Sequence, residues 1–326
     1  MGQQKVKEKQ RETIVHTPVL KDEIWSYLKP EDTGACILDC TLGEGGYAEL
    51  FLKKLPQLRY VGVDADAGIL EKARQRLSPY QDRLYLYNEW FNVFLKQYPV
   101  DLPKPSVIIF DLGISMYHYR ESGRGFSFRE EEELDMRLHP ELELSASDII
   151  NTYPEEEIAS ILYEFGEERY SRQIAAAVVR ERENKRITSN VELENIIWKA
   201  VPKRYRHGRI HPATRSFQAL RIVVNGELER LKGGLISAFG LLQKEGRMGV
   251  ISFHSLEDRI TKHFFKEKNK PCTCPPNWPM CKCEGVPEGE ILTPKPVRPG
   301  EGEVAKNKAS RSARLRVIKK IREVGL

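Results

Sequence analysis

The apolar residues of the chain fall into two rhythms. In the first third, short apolar runs at residues 36–39 (CILD), 60–64 (YVGVD), 84–87 and 107–111 (VIIFD) alternate with helical spacing over 47–55 and 67–77. Such runs, separated by helical segments, predict parallel strands buried on both faces of a sheet. From 122 to 221 the rhythm changes. Ile149-Ile150, Ile158, Ile161-Leu162, Phe165, Ile174, Ala177-Val178, Val191, Leu193 and Ile196-Ile197 recur at helical spacing in a charged background, with no convincing strand. The first rhythm then returns in a long helical stretch and the run MGVISF at 248–253. The pattern predicts an α/β domain of Rossmann-like winding built from residues 1–121 and 222–326, interrupted by a helical domain at 122–221. The segment 270–308, rich in Pro, Gly, Lys and Glu, predicts long loops, and residues 313–321 predict a final strand that closes the sheet edge.

Composition narrows the class. Hydrophobic residues make up 40% of the 326 positions and charged residues 30%, which suits packed cores in water. No run approaches the ~18 apolar residues of a membrane span, and the first residues lack the apolar core of a signal peptide. A cytoplasmic protein without a membrane partner is therefore expected. Gly2 does not begin a myristoylation signal, because position 6 is Val6. The net charge of +5 is mild, but Lys203, Arg204, Arg206, Arg209, Arg215 and Arg221 cluster with Tyr205, His207, His211 and Phe217. Cations interleaved with rings suit RNA, and equally suit a solvated helix face beside a basic loop.

Six cysteines in a cytoplasmic chain are expected to be thiols or metal ligands rather than disulfides. Cys272, Cys274, Cys281 and Cys283 have C-x-C…C-x-C spacing. That spacing makes them candidates for a structural zinc staple, with plain thiols as the alternative. No catalytic metal is expected.

The chemistry begins at ILDCTLGEGGYA, residues 37–48. Gly43, Gly45 and Ala48 fit a dinucleotide fingerprint, and Asp64 follows about 20 residues later, where an acid holds ribose hydroxyls. A nicotinamide-dependent oxidoreductase is thus one reading. Against it, the strand ends at Asp39, well before the first glycine, and a carboxylate there suits a cation better than a pyrophosphate. S-adenosylmethionine (SAM) carries an ammonium, a sulfonium and no phosphate. Gly45 and Gly46 would let the backbone approach such a cofactor. Asp39, Asp64 and Asp111 at strand ends are expected to converge on one crevice. Phe91 is placed either against an adenine or in the core.

The segments HTPVL (16–20), DCTLGEGG (39–46), DLGIS (111–115), RGFSF (124–128), LDMR (134–137), GEERYSRQIA (166–175), HPATRSFQALRIVVNGEL (211–228) and ISFHSLEDR (251–259) resemble the RsmH/MraW family over almost the whole chain. The resemblance implies a SAM-dependent methyltransferase that modifies the exocyclic N4 of a cytidine at the decoding centre of small-subunit (16S) ribosomal RNA. It further implies a Rossmann-like methyltransferase domain carrying a helical insertion, which would serve RNA recognition. The implied partner is small-subunit rRNA or the assembled small subunit, and the oligomeric state is left open, a homodimer included. Carried over residue by residue, the cofactor positions fall on Gly45, Gly46, Tyr47, Asp64, Phe91, Asp111 and His118. Tyr47 stands where the family usually has His, His118 where it usually has Gln, and His139 where an acid is common.

For such chemistry the delocalised amine of cytosine needs a hydrogen-bond acceptor that draws its nitrogen toward tetrahedral geometry. Asp111 is the candidate catalytic residue. His254 and His211 are candidates for proton removal, each with a structural role as the alternative, and Phe126 or Phe128 for base stacking. A ribosome-associated RNA-binding protein with a vestigial cofactor site is the reading from outside enzymology.

Overall fold

A computed structural model describes residues 18–271, 274, 278–280 and 285–323. The strands are β1 (Cys36–Asp39), β2 (Arg59–Asp64), β3 (Leu84–Asn88), β4 (Val107–Asp111), β5 (Arg247–Ser252), β6 (Gly289–Ile291) and β7 (Arg314–Lys320). They form one sheet in the order β3-β2-β1-β4-β5-β7-β6. The first five run parallel, while β7 is antiparallel to both β5 and β6. This is the predicted Rossmann-like α/β sheet with one correction at its edge. The final strand β7 lies inside β6, a short strand within the segment expected to be loops. Only Gly289 of β6 is buried, so it leaves no apolar run to read.

Alternation along the strands divides the core in two, because successive side chains point to opposite faces. Ile37, Tyr60, Val107, Ile109 and Val317 pack with Ile24, Leu28 and Phe51 on one face. Leu38, Val61, Ile108, Phe110 and Val250 pack with Leu231, Leu235 and Phe239 on the other. Phe51, Tyr60 and Phe110 have no exposed surface, and burial of each such side chain stabilises the fold by roughly 2–3 kcal/mol.

Between β4 and β5 the chain is helical, including Glu155–Gly166, Ser171–Asn184, Asn190–Ala200 and Ala213–Asn225. These helices share a third apolar cluster that includes Phe126, Ile149, Leu162, Val178, Leu193 and Leu220. Asn225 ties the cluster to the preceding loop. Its amide donates to the Met136 carbonyl at 2.8 Å and accepts from the Leu138 N–H at 2.8 Å. The next helix, Glu227–Leu241, returns the chain to the sheet.

Among the described residues, no helix is long and apolar enough to cross a membrane. His16 and Thr17 lie outside the described residues, as do Cys272, Cys281 and Cys283 of the cysteine quartet.

Candidate functional site

A cavity of about 490 Å³ opens at the carboxyl ends of the parallel strands, the place where ligands sit in open α/β sheets. Its walls come from the loop after β1, the ends of β2 and β4, the segment after β5 and the helical region. Pro18 and Val19 from the N-terminal side and Ala309 and Ser312 from the C-terminal side complete it.

Asp64 is fixed by the backbone. Its two oxygens accept from Gly43 N at 2.8 Å and Asp66 N at 2.9 Å. Burial raises its pKa, against the pull of those two amides. Asp66 caps the helix Ala67–Arg76 by accepting from Gly68 N and Ile69 N. Burial alone would raise Asp66, but hydrogen bonds from His118 and Arg124 outweigh it and hold the carboxyl well below the usual range.

Asp111 is the contrast. Its Oδ1 is buried with no hydrogen-bond partner among the described residues. Desolvation, and then the charge of Asp39, push its pKa up to about 8, against a hydrogen bond with Tyr47. Tyr47 is buried and donates its hydroxyl to the Val19 carbonyl at 2.5 Å. An ionised Asp111 would draw on the one Tyr47 hydroxyl proton in competition with the Val19 carbonyl, and it lacks a counter-charge. The site is thus suited to a cation. SAM fits this demand through its positive groups, whereas a dinucleotide would bring a pyrophosphate toward carboxylates.

The structure brings together most of the residues picked from sequence, though not all in the expected roles. Gly46, Tyr47, Asp64, Phe91, Asp111 and His118 all line the cavity. Phe91 meets Phe110 edge-on at 5.4 Å, so the core orients its ring. Gly45 is not among the lining residues. It adopts a left-handed backbone (φ 77°), and a Cβ there would meet Leu77 at 2.7 Å. A Cβ on Gly46 would strike Pro18 at 2.5 Å, so its smallness admits the N-terminal segment. Both nitrogens of His118 are engaged: Nδ1 accepts from Ser115 N at 3.1 Å, and Nε2 lies 3.1 Å from Asp66 Oδ2.

The expected convergence of three strand-end acids needs correction. Asp39 is fully buried and turned inward, bonded to the Tyr60 hydroxyl at 2.8 Å and to Thr41 N at 3.1 Å. The buried Tyr60 hydroxyl needs an acceptor and takes this one. Burial raises Asp39 to about 7. His211 is also elsewhere, stacked between Phe128 and Trp198 with Nε2 3.2 Å from Glu194.

The far wall carries groups that sequence reasoning had not joined. Arg221 is bound bidentately by Glu227, at 2.8 and 2.9 Å. His254 caps the helix Ser255–Lys268: its ring accepts from Glu257 N, while Glu257 returns to His254 N. Phe126 and Phe128 bring aromatic surface from the helical side. The two partners Arg221 and Glu227 straddle a helix break at Gly226, which no periodicity announces.

Residues 13–321 match the model of a family described as the MraW methylase family. The chain is 54% identical to ribosomal RNA small subunit methyltransferase H of Treponema denticola, over 94% of this chain and 98% of that protein. It is 43% identical to the protein of the same name from Carboxydothermus hydrogenoformans, over 94% of this chain and 98% of that one. A solved rRNA methylase from Streptococcus thermophilus is 10% identical with a TM-score of 0.41, over 93% of this chain and 94% of that one. That likeness is too slight to add to the fold already described.

Proposed function

The chain belongs to the MraW methylase family and is an rRNA methyltransferase that uses SAM, and from that premise we propose that it methylates the exocyclic N4 of a cytidine in the decoding region of small-subunit (16S) rRNA. The substrate is that RNA or the assembled small subunit, met in the cytoplasm, and the helical region 122–221 recognises it. The observation that carries this reading is the Asp111 oxygen that has no partner among the described residues, buried at the end of β4 in a cavity that also presents Phe126 and Phe128.

Asp64 is placed to hold ribose hydroxyls, since each of its oxygens keeps a lone pair beyond the backbone bond it accepts. Phe91 packs beside the base, and the turn through Gly45, Gly46 and Tyr47 shapes the floor. His118 acts through Asp66, positioning the loop after β2 rather than offering an atom of its own. When bound, SAM supplies an electrophilic methyl group beside positive charge. That charge favours the ionised form of Asp111. The carboxylate then accepts a hydrogen bond from the target amine, localising its lone pair, and can take the proton released. A pKa raised to about 8 by burial puts Asp111 within range of that transfer.

Mass mapping of modified nucleosides in small-subunit RNA, from cells with and without the protein, tests the reading. Loss of one N4-methylcytidine without the protein is expected, restored by purified protein and SAM. Association with subunits without methyl transfer would instead establish the vestigial binder, and binding of NADH in place of SAM the oxidoreductase.

A further inference from the structure

The wall facing the strand ends holds two donors whose positions are fixed by other groups. Arg221 is nine-tenths buried, and Glu227 holds its Nε and Nη2. Its remaining nitrogen, Nη1, has no hydrogen-bond partner among the described residues, while the side chain lines the cavity. His254 is 7% exposed at its side chain and lines the same cavity. Its Nδ1 accepts the N–H of Glu257, a long bond of 3.4 Å that closes the helix cap. An Nδ1 that accepts carries no proton, so in the neutral ring the proton sits on Nε2. Nε2 lies 3.1 Å from Glu257 Oε1 but out of line for a hydrogen bond, and among the described residues it is buried with no other partner. This removes His254 from the role of proton acceptor and makes it a donor. Ligand atoms of Glu227, His254 and Glu257 lie within 4.8 Å of one another and Arg221 is bound to Glu227, so these groups share one end of the cavity, which Asp111 also lines.

That end therefore offers one buried acceptor, Asp111, and two held donors. Cytosine offers the complement, an amine that donates and two acceptors, the ring N3 and the carbonyl O2. Uracil offers O4 where the amine would stand and an N3–H where an acceptor would stand, so it is mismatched twice. We infer that Arg221 and His254 are specificity-determining residues that hold the N3 and O2 edge of the target cytosine while its amine faces Asp111. This rests on the reading of the product as N4-methylcytidine. The same wall includes Glu227, His254 and Glu257 close enough together to hold a cation. Arg221 already neutralises Glu227, and the Nε2 proton of His254 occupies the lone pair a metal would need.

The test uses the full-length protein and an RNA substrate with cytidine or 3-deazacytidine, which lacks the N3 acceptor, at the target position. His254→Ser keeps an oxygen for the helix cap and removes the donor. His254→Asn keeps both a cap and a donor, and Arg221→Lys keeps the charge on Glu227 but not the second arm. On cytidine, His254→Ser and Arg221→Lys should each lower kcat/KM roughly 10- to 100-fold, with SAM affinity unchanged in both and the unfolding midpoint unchanged in His254→Ser, and His254→Asn should recover most of the loss. The 3-deazacytidine substrate should slow the wild type by a similar factor, yet cost almost nothing further in the variant that has lost the N3 contact.

Wild-type kcat/KM in His254→Ser overturns the inference, as do analogue and variant penalties that multiply in both variants. Stoichiometric Mn²⁺ binding that disappears in His254→Ser would overturn it too, in favour of a metal site. Failure of the functional reading is separable: the wild-type product would then be a nucleoside other than N4-methylcytidine.

Discussion

Asp64 and Asp111 end strands that flank β1 in the parallel part of the sheet, yet they are opposite kinds of site. Asp64 at the end of β2 has an amide hydrogen bond to each oxygen before any ligand arrives. Asp111 at the end of β4 has one oxygen beside Tyr47 and one with no partner among the described residues. The first is a finished platform, whose rigid carboxylate suits ground-state binding. The second is unsatisfied, and a buried acceptor without a donor is costly until something supplies one. An interaction made only when substrate or transition state is present contributes to rate rather than to affinity. The proposed function accordingly puts binding on the β2 side and chemistry on the β4 side.

The largest expected effect would break that assignment most directly. Asp111→Asn keeps the shape and removes the charge, and methyl transfer should fall by about 10²–10³ in kcat. SAM affinity, measured by calorimetry on the same preparation, should change by less than about tenfold. Full turnover would remove Asp111 from the chemistry and leave both strand ends as cofactor platforms. Asp64→Ala should show the reverse split. Its Kd for SAM should rise roughly 10- to 100-fold, with kcat at saturating cofactor much less affected. Equal losses in both parameters for both variants would show that the two acids act as one unit.

A pH experiment sharpens the same contrast. Asp39 and Asp111 are raised by burial, to about 7 and about 8. Between roughly pH 4 and 8 the native state therefore retains protons that the unfolded chain has released. Stability contributed by the neutral carboxyls is complete at the acid end of that window and lost as pH rises through it. Asp39→Asn, which cannot ionise, should gain stability relative to wild type on going from pH 5 to pH 8, by a few kcal/mol at most. Paired thermal melts without ligand check this. A difference between the two proteins that stays constant with pH would show that Asp39 is already charged in the fold.

Much of this arrangement could be read from the sequence because parallel strands buried on both faces leave continuous apolar runs. Cys36–Asp39 and Val107–Asp111 are such runs, and the acid closing each marks the end of its strand. Those acids did not reveal which way they turn. Asp39 faces inward because of the Tyr60 hydroxyl, a partner 21 positions away that no spacing identifies. The donor character of His254 was hidden for a related reason, since it depends on the helix beginning at Ser255 and on Glu257 returning to the cap. Arg221 stood out only as one member of a basic stretch, whereas its partner Glu227 lies beyond the left-handed turn at Gly226. Local pattern exposes elements, while the state of a buried polar group depends on which other group meets it.

The smallest expected effect concerns Tyr47, where the motif resemblance to the RsmH/MraW family implies His. Its ring is buried beneath the cavity, and its hydroxyl joins the Val19 carbonyl to the Asp111 side of the site. Tyr47→Phe keeps the packing and removes one hydrogen bond, so stability should fall by about 1 kcal/mol. Val19 loses a tether and Asp111 loses its neighbour on the occupied oxygen. SAM affinity should weaken by less than about tenfold, because Gly46 and Pro18 still pack together. The acid limb of the kcat profile carries the informative part. Without the Tyr47 hydrogen bond, which lowers the Asp111 pKa, the limb should move to higher pH. A limb that stays in place would separate Tyr47 from the charge on Asp111 and reduce its role to anchoring the N-terminal segment.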